Sequence, residues 1–187
     1  MLIAGVDEVG MGCIAGPVYA AAVVLPADHG IVGLRDSKKI SAGKREQLAV
    51  QIRQRAQLFA VASASVEEID TLNILSASWT AMARAVAQLD PRPTLCLVDG
   101  AHAPELEVAE VRAVPGGDRT EEAIMAAAIL AKVARDAEMV RLDALHPGYG
   151  FAQNKGYGAP AIAALNALGV CRPHRRTFAP VRSLLSG

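Results

Sequence analysis

Residues Leu2-Ile3-Ala4-Gly5-Val6-Asp7-Glu8-Val9-Gly10-Met11-Gly12 run an apolar stretch into two adjacent carboxylates and a glycine-rich loop, and no other segment of the chain constrains the fold as strongly. Leu2, Ile3, Ala4 and Val6 read as a short buried strand. The core must therefore close around them, while Asp7 and Glu8 must meet water or a counter-ion where strand becomes loop. Gly10 and Gly12 permit backbone geometries and close ligand approach that larger residues block. Taken alone, two neighbouring acids read more often as a solvated turn than as a metal site, so the rest of the chain must decide.

With 187 residues and 52% apolar content, the chain suffices for one domain spanning 1–187, with a small appendage at most. Cys13, Cys96 and Cys171 are odd in number, far apart and without Cys-x-x-Cys spacing, which argues against a disulfide framework and against zinc. A reducing, cytoplasmic location is the expectation. The first residues lack the basic and apolar regions of a signal peptide, and no apolar run is long enough to span a bilayer. The formal net charge is +0, yet no acid follows Asp143, while Lys155, Arg172, Arg175, Arg176 and Arg182 do. That basic tail either faces phosphates or offsets acidic surface elsewhere in the same domain.

The elements alternate. Val18 to Leu25 reads as a strand hairpin-paired with the first. Ser41 caps a helix over about 42–56 with Leu48, Ile52 and Ala56 on one face, and 57–63 reads as a strand. Ser65 and Glu68 form a capping box ahead of one helical stretch carrying Ile74, Trp79, Met82, Val86 and Leu89. Two strands follow, over 94–98 and 108–114, ending at Asp99-Gly100 and at Pro115-Gly116-Gly117-Asp118. A long helix opens at Thr120-Glu121-Glu122, its acids suited to the positive end of the macrodipole, and runs to about Leu145. A glycine-rich loop over 148–158 leads to a last helix, 160–168.

Asp7, Glu8, Asp99 and Asp118 come from three separate stretches, each at or just beyond a strand end, where an open sheet collects functional groups. Carboxylates without His or Cys select hard cations, Mg²⁺ or Mn²⁺ rather than zinc. Such ions suit phosphoryl chemistry, and a pair about 3.5–4 Å apart activates water and stabilises the leaving oxygen of a phosphodiester. Crowded carboxylates without a cation would instead repel one another and take up protons.

The ordered set Asp7-Glu8-Val9-Gly10, Ala15-Gly16-Pro17, Asp36-Ser37-Lys38-Lys39, Leu72-Asn73-Ile74, Val98-Asp99-Gly100, Gly117-Asp118, Ala131-Lys132-Val133, Arg135-Asp136, Lys155-Gly156-Tyr157-Gly158 and His174-Arg175-Arg176 closely resembles the motifs of ribonuclease HII, over nearly the whole chain. The resemblance implies an α/β ribonuclease H-like fold: a mixed five-stranded sheet flanked by helices, with a helical C-terminal appendage that grips the duplex. It divides the domain into a catalytic core over about 1–145 and a substrate-gripping part over about 146–187. It makes Asp7, Glu8, Asp99 and Asp118 the catalytic, Mn²⁺- or Mg²⁺-binding carboxylates. It makes Gly10, Met11 and Gly12 the loop that reads the ribose 2′-hydroxyl, Tyr157 the ring that stacks on the sugar at an RNA–DNA junction, and Lys38 a phosphate contact. A core or surface aromatic remains the alternative for Tyr157, and a solvated Lys pair the alternative for Lys38. The implied activity is cleavage of the RNA strand of RNA–DNA hybrids and on the 5′ side of ribonucleotides embedded in duplex DNA, leaving 3′-hydroxyl and 5′-phosphate ends, by a monomer that serves ribonucleotide and RNA-primer removal. The related ribonuclease HIII is set aside by the start of the first motif at Asp7, by Asp118 where that family carries Glu, and by Ala15-Gly16-Pro17.

Four positions depart from the family pattern. Met11 replaces a usual Arg or Lys and cannot donate a hydrogen bond. Ala128 stands for Ser, Asn154 for His and Ala159 for Thr, with looser support for Tyr157 as the expected result. Rival readings are a junction nuclease of the same fold with weakened 2′-hydroxyl selectivity, which would cut all-DNA substrates, and a duplex-binding module without metal-dependent turnover.

Overall fold

The computed structural model describes residues 1–35 and 39–187. Its centre is a five-stranded mixed sheet in the order β3-β2-β1-β4-β5, with β1 Ile3–Val9, β2 Val18–Val24, β3 Leu58–Ala64, β4 Leu95–Asp99 and β5 Glu110–Val114. β1 pairs antiparallel with β2 and parallel with β4, so the strand bearing Asp7 and Glu8 lies in the middle. The helices are α1 Ala42–Arg55, α2 Val66–Leu72, α3 Ile74–Ala87, α4 Gly117–Thr120, α5 Glu122–Leu145, α6 Phe151–Asn154, α7 Gly158–Leu168 and α8 Ala179–Leu185.

Strand alternation divides the core in two. Ala4 and Val6 of β1, with Ala20 and Ala22 of β2, pack against Ala77, Ala81, Met82 and Ala85 of α3. On the opposite face Ala21 and Val23 pack against Leu48 and Ile52 of α1 and Met125, Ile129 and Leu130 of α5. β2 is therefore buried on both faces, and its alanines let helices approach from either side. The closest approach is at Gly5, where an added Cβ would lie 2.1 Å from the carbonyl carbon of Ala123. α5 thus lies directly on the central strand.

Several expectations need correction. β1 continues to Val9, because Glu8 and Val9 still pair with Ala20 and Tyr19, so both acids lie within the strand rather than after it. Asp99 likewise closes β4 and pairs with Val114. The single helix expected after Ser65 is two: the Ser65–Glu68 capping box forms, but Asn73 at φ 77° ends α2 and its side chain accepts the Ser76 N–H at 2.9 Å, starting α3. Asp118 occupies the one-turn α4 rather than a loop, and the 148–158 loop contains α6. Among the described residues no helix is long and apolar enough to cross a membrane.

The segment after α5 folds back onto the loop between β1 and β2. Ile14 N–H donates to the Gly156 carbonyl at 3.0 Å, Gly16 N–H to Pro173 at 2.9 Å, and Arg175 N–H to Ile14 at 2.8 Å. Ile14 then packs with Ala161, Leu165 and Val181. A second tie comes from Asp70 of α2, whose carboxylate accepts the Arg176 and Thr177 amides at 3.1 Å each and the Thr177 hydroxyl at 2.9 Å.

Candidate active site

Register brings the acids together. Val6 pairs with Val98, so Asp7 and Asp99, each one residue further along parallel strands, lie on the α5 face of the sheet as neighbours. The turn after β5 delivers the third stretch: the Asp118 amide donates to Asp99 Oδ1 at 3.0 Å, fixing α4 over the end of β4. Asp7, Glu8, Asp99 and Asp118 line one open cleft of about 380 Å³, whose far wall is Ala128, Ile129 and Lys132 of α5, with Arg45 of α1 at its side.

Its electrostatics are those of crowded like charges. Burial, with Glu8 and Asp99 beside it, pushes the Asp7 carboxyl up to about 8, even though its Oδ1 accepts the Glu8 amide at 2.7 Å. Burial also raises Glu8, with the Asp99 charge adding to it. An all-oxygen donor set held under such repulsion fits a hard divalent cation, whose charge would relieve it. Among the described residues no three or more His, Cys, Asp or Glu side chains are gathered closely enough to hold a metal ion by themselves, and the four acids instead rim the open cleft. An open rim matches a cation that keeps several waters and takes only one or two protein carboxylates directly.

Beside this cleft lies the glycine loop. Gly10 sits at φ 96°, and a Cβ there would be 2.3 Å from Arg135 Nε. Tyr157, 59% exposed, reaches over Gly12: a Cβ on Gly12 would lie 3.1 Å from the tyrosine hydroxyl. The alternative of a core aromatic is therefore excluded for Tyr157. The loop that carries it is firmly held despite the Asn154 departure, since Asn154 Oδ1 accepts the Gly156 amide at 2.8 Å and Nδ2 donates to the Tyr149 carbonyl at 2.8 Å. Met11 is half-buried against the α3 side of the core and borders a small hollow with Trp79 and Met82, so an apolar residue suits its surroundings. Ala128 forms part of the cleft wall itself. Lys38 lies outside the described residues.

The basic tail does not face phosphates as a unit. Arg175 is 0% exposed and His174 1%; only Arg172, Arg176 and Arg182 carry the tail's arginine charge outward. Four groups to which the sequence assigned no site role are placed here. Lys132 and Arg45 reach the cleft from helices whose positions the sheet sets, and Arg135 and Arg175 lie beneath the glycine loop. The Arg135-Asp136 and His174-Arg175 motifs carried the signal, but nothing in sequence spacing reveals that both guanidiniums turn inward.

Comparison with known proteins gives one answer. The family model described as Ribonuclease HII matches residues 4–181. The ribonuclease HII of Bordetella pertussis is 56% identical over 183 residues, covering 97% of this chain and 90% of its relative. That of Chromobacterium violaceum is 53% identical over 185 residues, covering 98% and 93%. Among solved structures, ribonuclease H2 of Pyrococcus horikoshii superposes with a TM-score of 0.81 at 26% identity, covering 100% of this chain and 98% of that one. Bst-RNase HIII in complex with Mn²⁺ gives 0.78 at 19% identity over 70% of its own length, a likeness of fold. With the family's ordered motifs, its mixed sheet and its end-to-end match all present, this chain belongs to the ribonuclease HII family and is a ribonuclease H.

Proposed function

We propose that this enzyme cleaves the RNA strand of RNA–DNA hybrids and the phosphodiester on the 5′ side of ribonucleotides embedded in duplex DNA, with Asp7, Glu8, Asp99 and Asp118 as the catalytic, metal-holding carboxylates. The observation that carries the reading is their convergence on one cleft, next to a loop whose Gly12 lies under the Tyr157 hydroxyl. When bound, Mg²⁺ or Mn²⁺ supplies the charge that activates a water nucleophile and offsets charge on the phosphate oxygens. The Mn²⁺ found with the structurally similar Bst-RNase HIII supports this choice.

The chain's own residues do the rest. Lys132, whose ammonium is 2.7 Å from Asp136, and Arg45 bring positive charge to the cleft wall and attract the scissile phosphate. Gly10, Met11 and Gly12 offer main-chain groups to the 2′-hydroxyl, the atom that distinguishes RNA from DNA, while the exposed Tyr157 ring stacks on the sugar. Water oxygen bonds to phosphorus as the bond to the 3′-oxygen of the preceding nucleotide breaks; the water's proton balances the departing 3′-hydroxyl, and the ribonucleotide keeps a 5′-phosphate. No covalent enzyme intermediate is needed. Residues 1–145 act as the catalytic core and 146–187 as the part that grips the duplex, in a cytoplasmic monomer that removes ribonucleotides and RNA primers from DNA.

Labelled duplexes holding one ribonucleotide, a run of them or none, each incubated with Mg²⁺, Mn²⁺ or EDTA, test the reading. Metal-dependent cutting 5′ to the ribonucleotide with all-DNA left intact is expected. Cutting of all-DNA would instead identify a junction nuclease, and turnover in EDTA would remove the carboxylates' assigned role.

A further inference from the structure

Two large cations lie beneath the glycine loop: Arg135 of α5 is 2% exposed and Arg175 is 0% exposed. Burying a guanidinium is costly unless its donors are met. Among the described residues, the hydrogen bonds from both go to main-chain carbonyls. Arg135 donates to Pro17 at 3.0 Å, Lys155 at 2.8 Å and Ala15 at 2.8 Å. Arg175 donates to Gly16 at 2.9 Å, Met11 at 2.9 Å and Gly10 at 2.6 Å, with a longer bond to Pro17 at 3.5 Å. Its guanidinium also lies over the Phe178 ring, 5.0 Å from the centroid.

The consequence is directional. In a trans peptide the N–H points opposite to the C=O. Turning the Gly10 and Met11 carbonyls onto Arg175 therefore turns the Met11 and Gly12 amides away from it. Gly12 is the residue that the Tyr157 hydroxyl overlies, and the chain leading to Tyr157 is held by Arg135 through the Lys155 carbonyl. One pair of buried cations thus sets both halves of the surface that meets the sugar.

We propose that Arg135 and Arg175 are positioning residues for ribose selectivity, holding the Met11 and Gly12 amides and the Tyr157 ring in a fixed relation to each other. The proposal rests on the assignment of Gly10–Gly12 and Tyr157 to sugar recognition. Lysine keeps the charge at either site but cannot reproduce the planar fork.

The test compares full-length Arg135→Lys and Arg175→Lys, each in an Asp99→Asn background that blocks cleavage, with the parent and with Tyr157→Ala in that same background. Dissociation constants are measured at one fixed salt concentration for a duplex with a single ribonucleotide and for its all-DNA counterpart, alongside thermal melting. The preference for the ribonucleotide duplex should fall about tenfold in each Lys variant, the worth of one charge-assisted hydrogen bond. Binding of all-DNA should stay within about twofold, because phosphate contacts govern it. A folded Lys variant with the parent's preference, or with both duplexes weakened equally, overturns the proposal. So does failure of both Lys variants to fold, which makes the arginines purely structural. A parent without preference overturns the sugar-recognition assignment itself, whereas loss of preference in Tyr157→Ala but in neither Lys variant overturns only the arginines' role.

Discussion

The acid cleft and the glycine loop lie side by side but are built by opposite means. The cleft gathers like charges that repel, and it is held by sheet register and by main-chain amides, Glu8 N–H to Asp7 at 2.7 Å and Asp118 N–H to Asp99 at 3.0 Å. The loop gathers carbonyl oxygens around two buried cations, and it is held by side chains reaching across 118–165 residues of sequence. Removing a carboxylate from the cleft relieves repulsion and so spares the fold; removing a guanidinium from the loop leaves several carbonyls without donors. Chemistry and stability are therefore separable in the first region and entangled in the second.

The largest expected effect breaks function and keeps structure. Asp7→Asn or Asp99→Asn should lower kcat on the order of 10³-fold or more, beyond the 10–100-fold typical for an outer partner of a metal ligand. Melting of the metal-free variant should hold steady or rise. A residual rate within tenfold of the parent would remove that residue from the assigned set.

Next comes the converse, a change that damages structure first. Gly5→Ala places a Cβ 2.1 Å from the Ala123 backbone and must push α5 off β1, at about 1–3 kcal/mol or more for overpacking. Urea denaturation reads the loss, and because α5 forms the cleft wall, activity should fall with it. A neutral melting point would show that the helix can move freely.

Proton linkage supplies a third effect, confined to the cleft. The Asp7 carboxyl rises from 3.8 to about 8 in the folded chain, so between those values the folded state binds more protons than the unfolded state. Stability of the metal-free protein is therefore fully present at low pH and is lost as pH rises from about 4 towards about 8. Melting in EDTA should drop between pH 6 and pH 8, and Asp7→Asn should flatten that drop. A flat parental profile would sink the claim of crowded acids.

The smallest effect probes the loop. Met11→Arg restores the residue type usual in the family at a position that here borders Trp79 and Met82. A gain of about tenfold in kcat/KM on a single-ribonucleotide duplex is expected if the new side chain reaches a phosphate. No gain would show that the apolar packing of Met11 costs the enzyme nothing.

How much of this was legible beforehand follows the same division. Sequence pattern showed all five strands, β1 to β5, and the placement of Asp7, Glu8, Asp99 and Asp118 near strand ends singled out the acids. Boundaries were less visible: Glu8 and Asp99 belong to strands because their partners Ala20 and Val114 extend the ladder, which no local propensity reveals. Asn73 splits a helix by adopting φ 77°, although its neighbours continue the apolar pattern. The basic tail left two readings open because charge in sequence does not show which way an arginine turns.

The sequence by itself therefore determined the alternation of elements, the capping box at Ser65 and Glu68, the four acids and the family they belong to, since these depend on local periodicity and on residue type. Only the tertiary structure decided that Asp7 and Asp99 are neighbours on one face, that Ala128 and Lys132 wall the cleft, and that Arg135 and Arg175 point inward. The physical reason is range. Propensity acts over a few residues, whereas strand register joins Val6 to Val98 and the Arg135 and Arg175 guanidiniums reach Ala15 and Gly10 more than a hundred residues away, contacts that form only when the core closes.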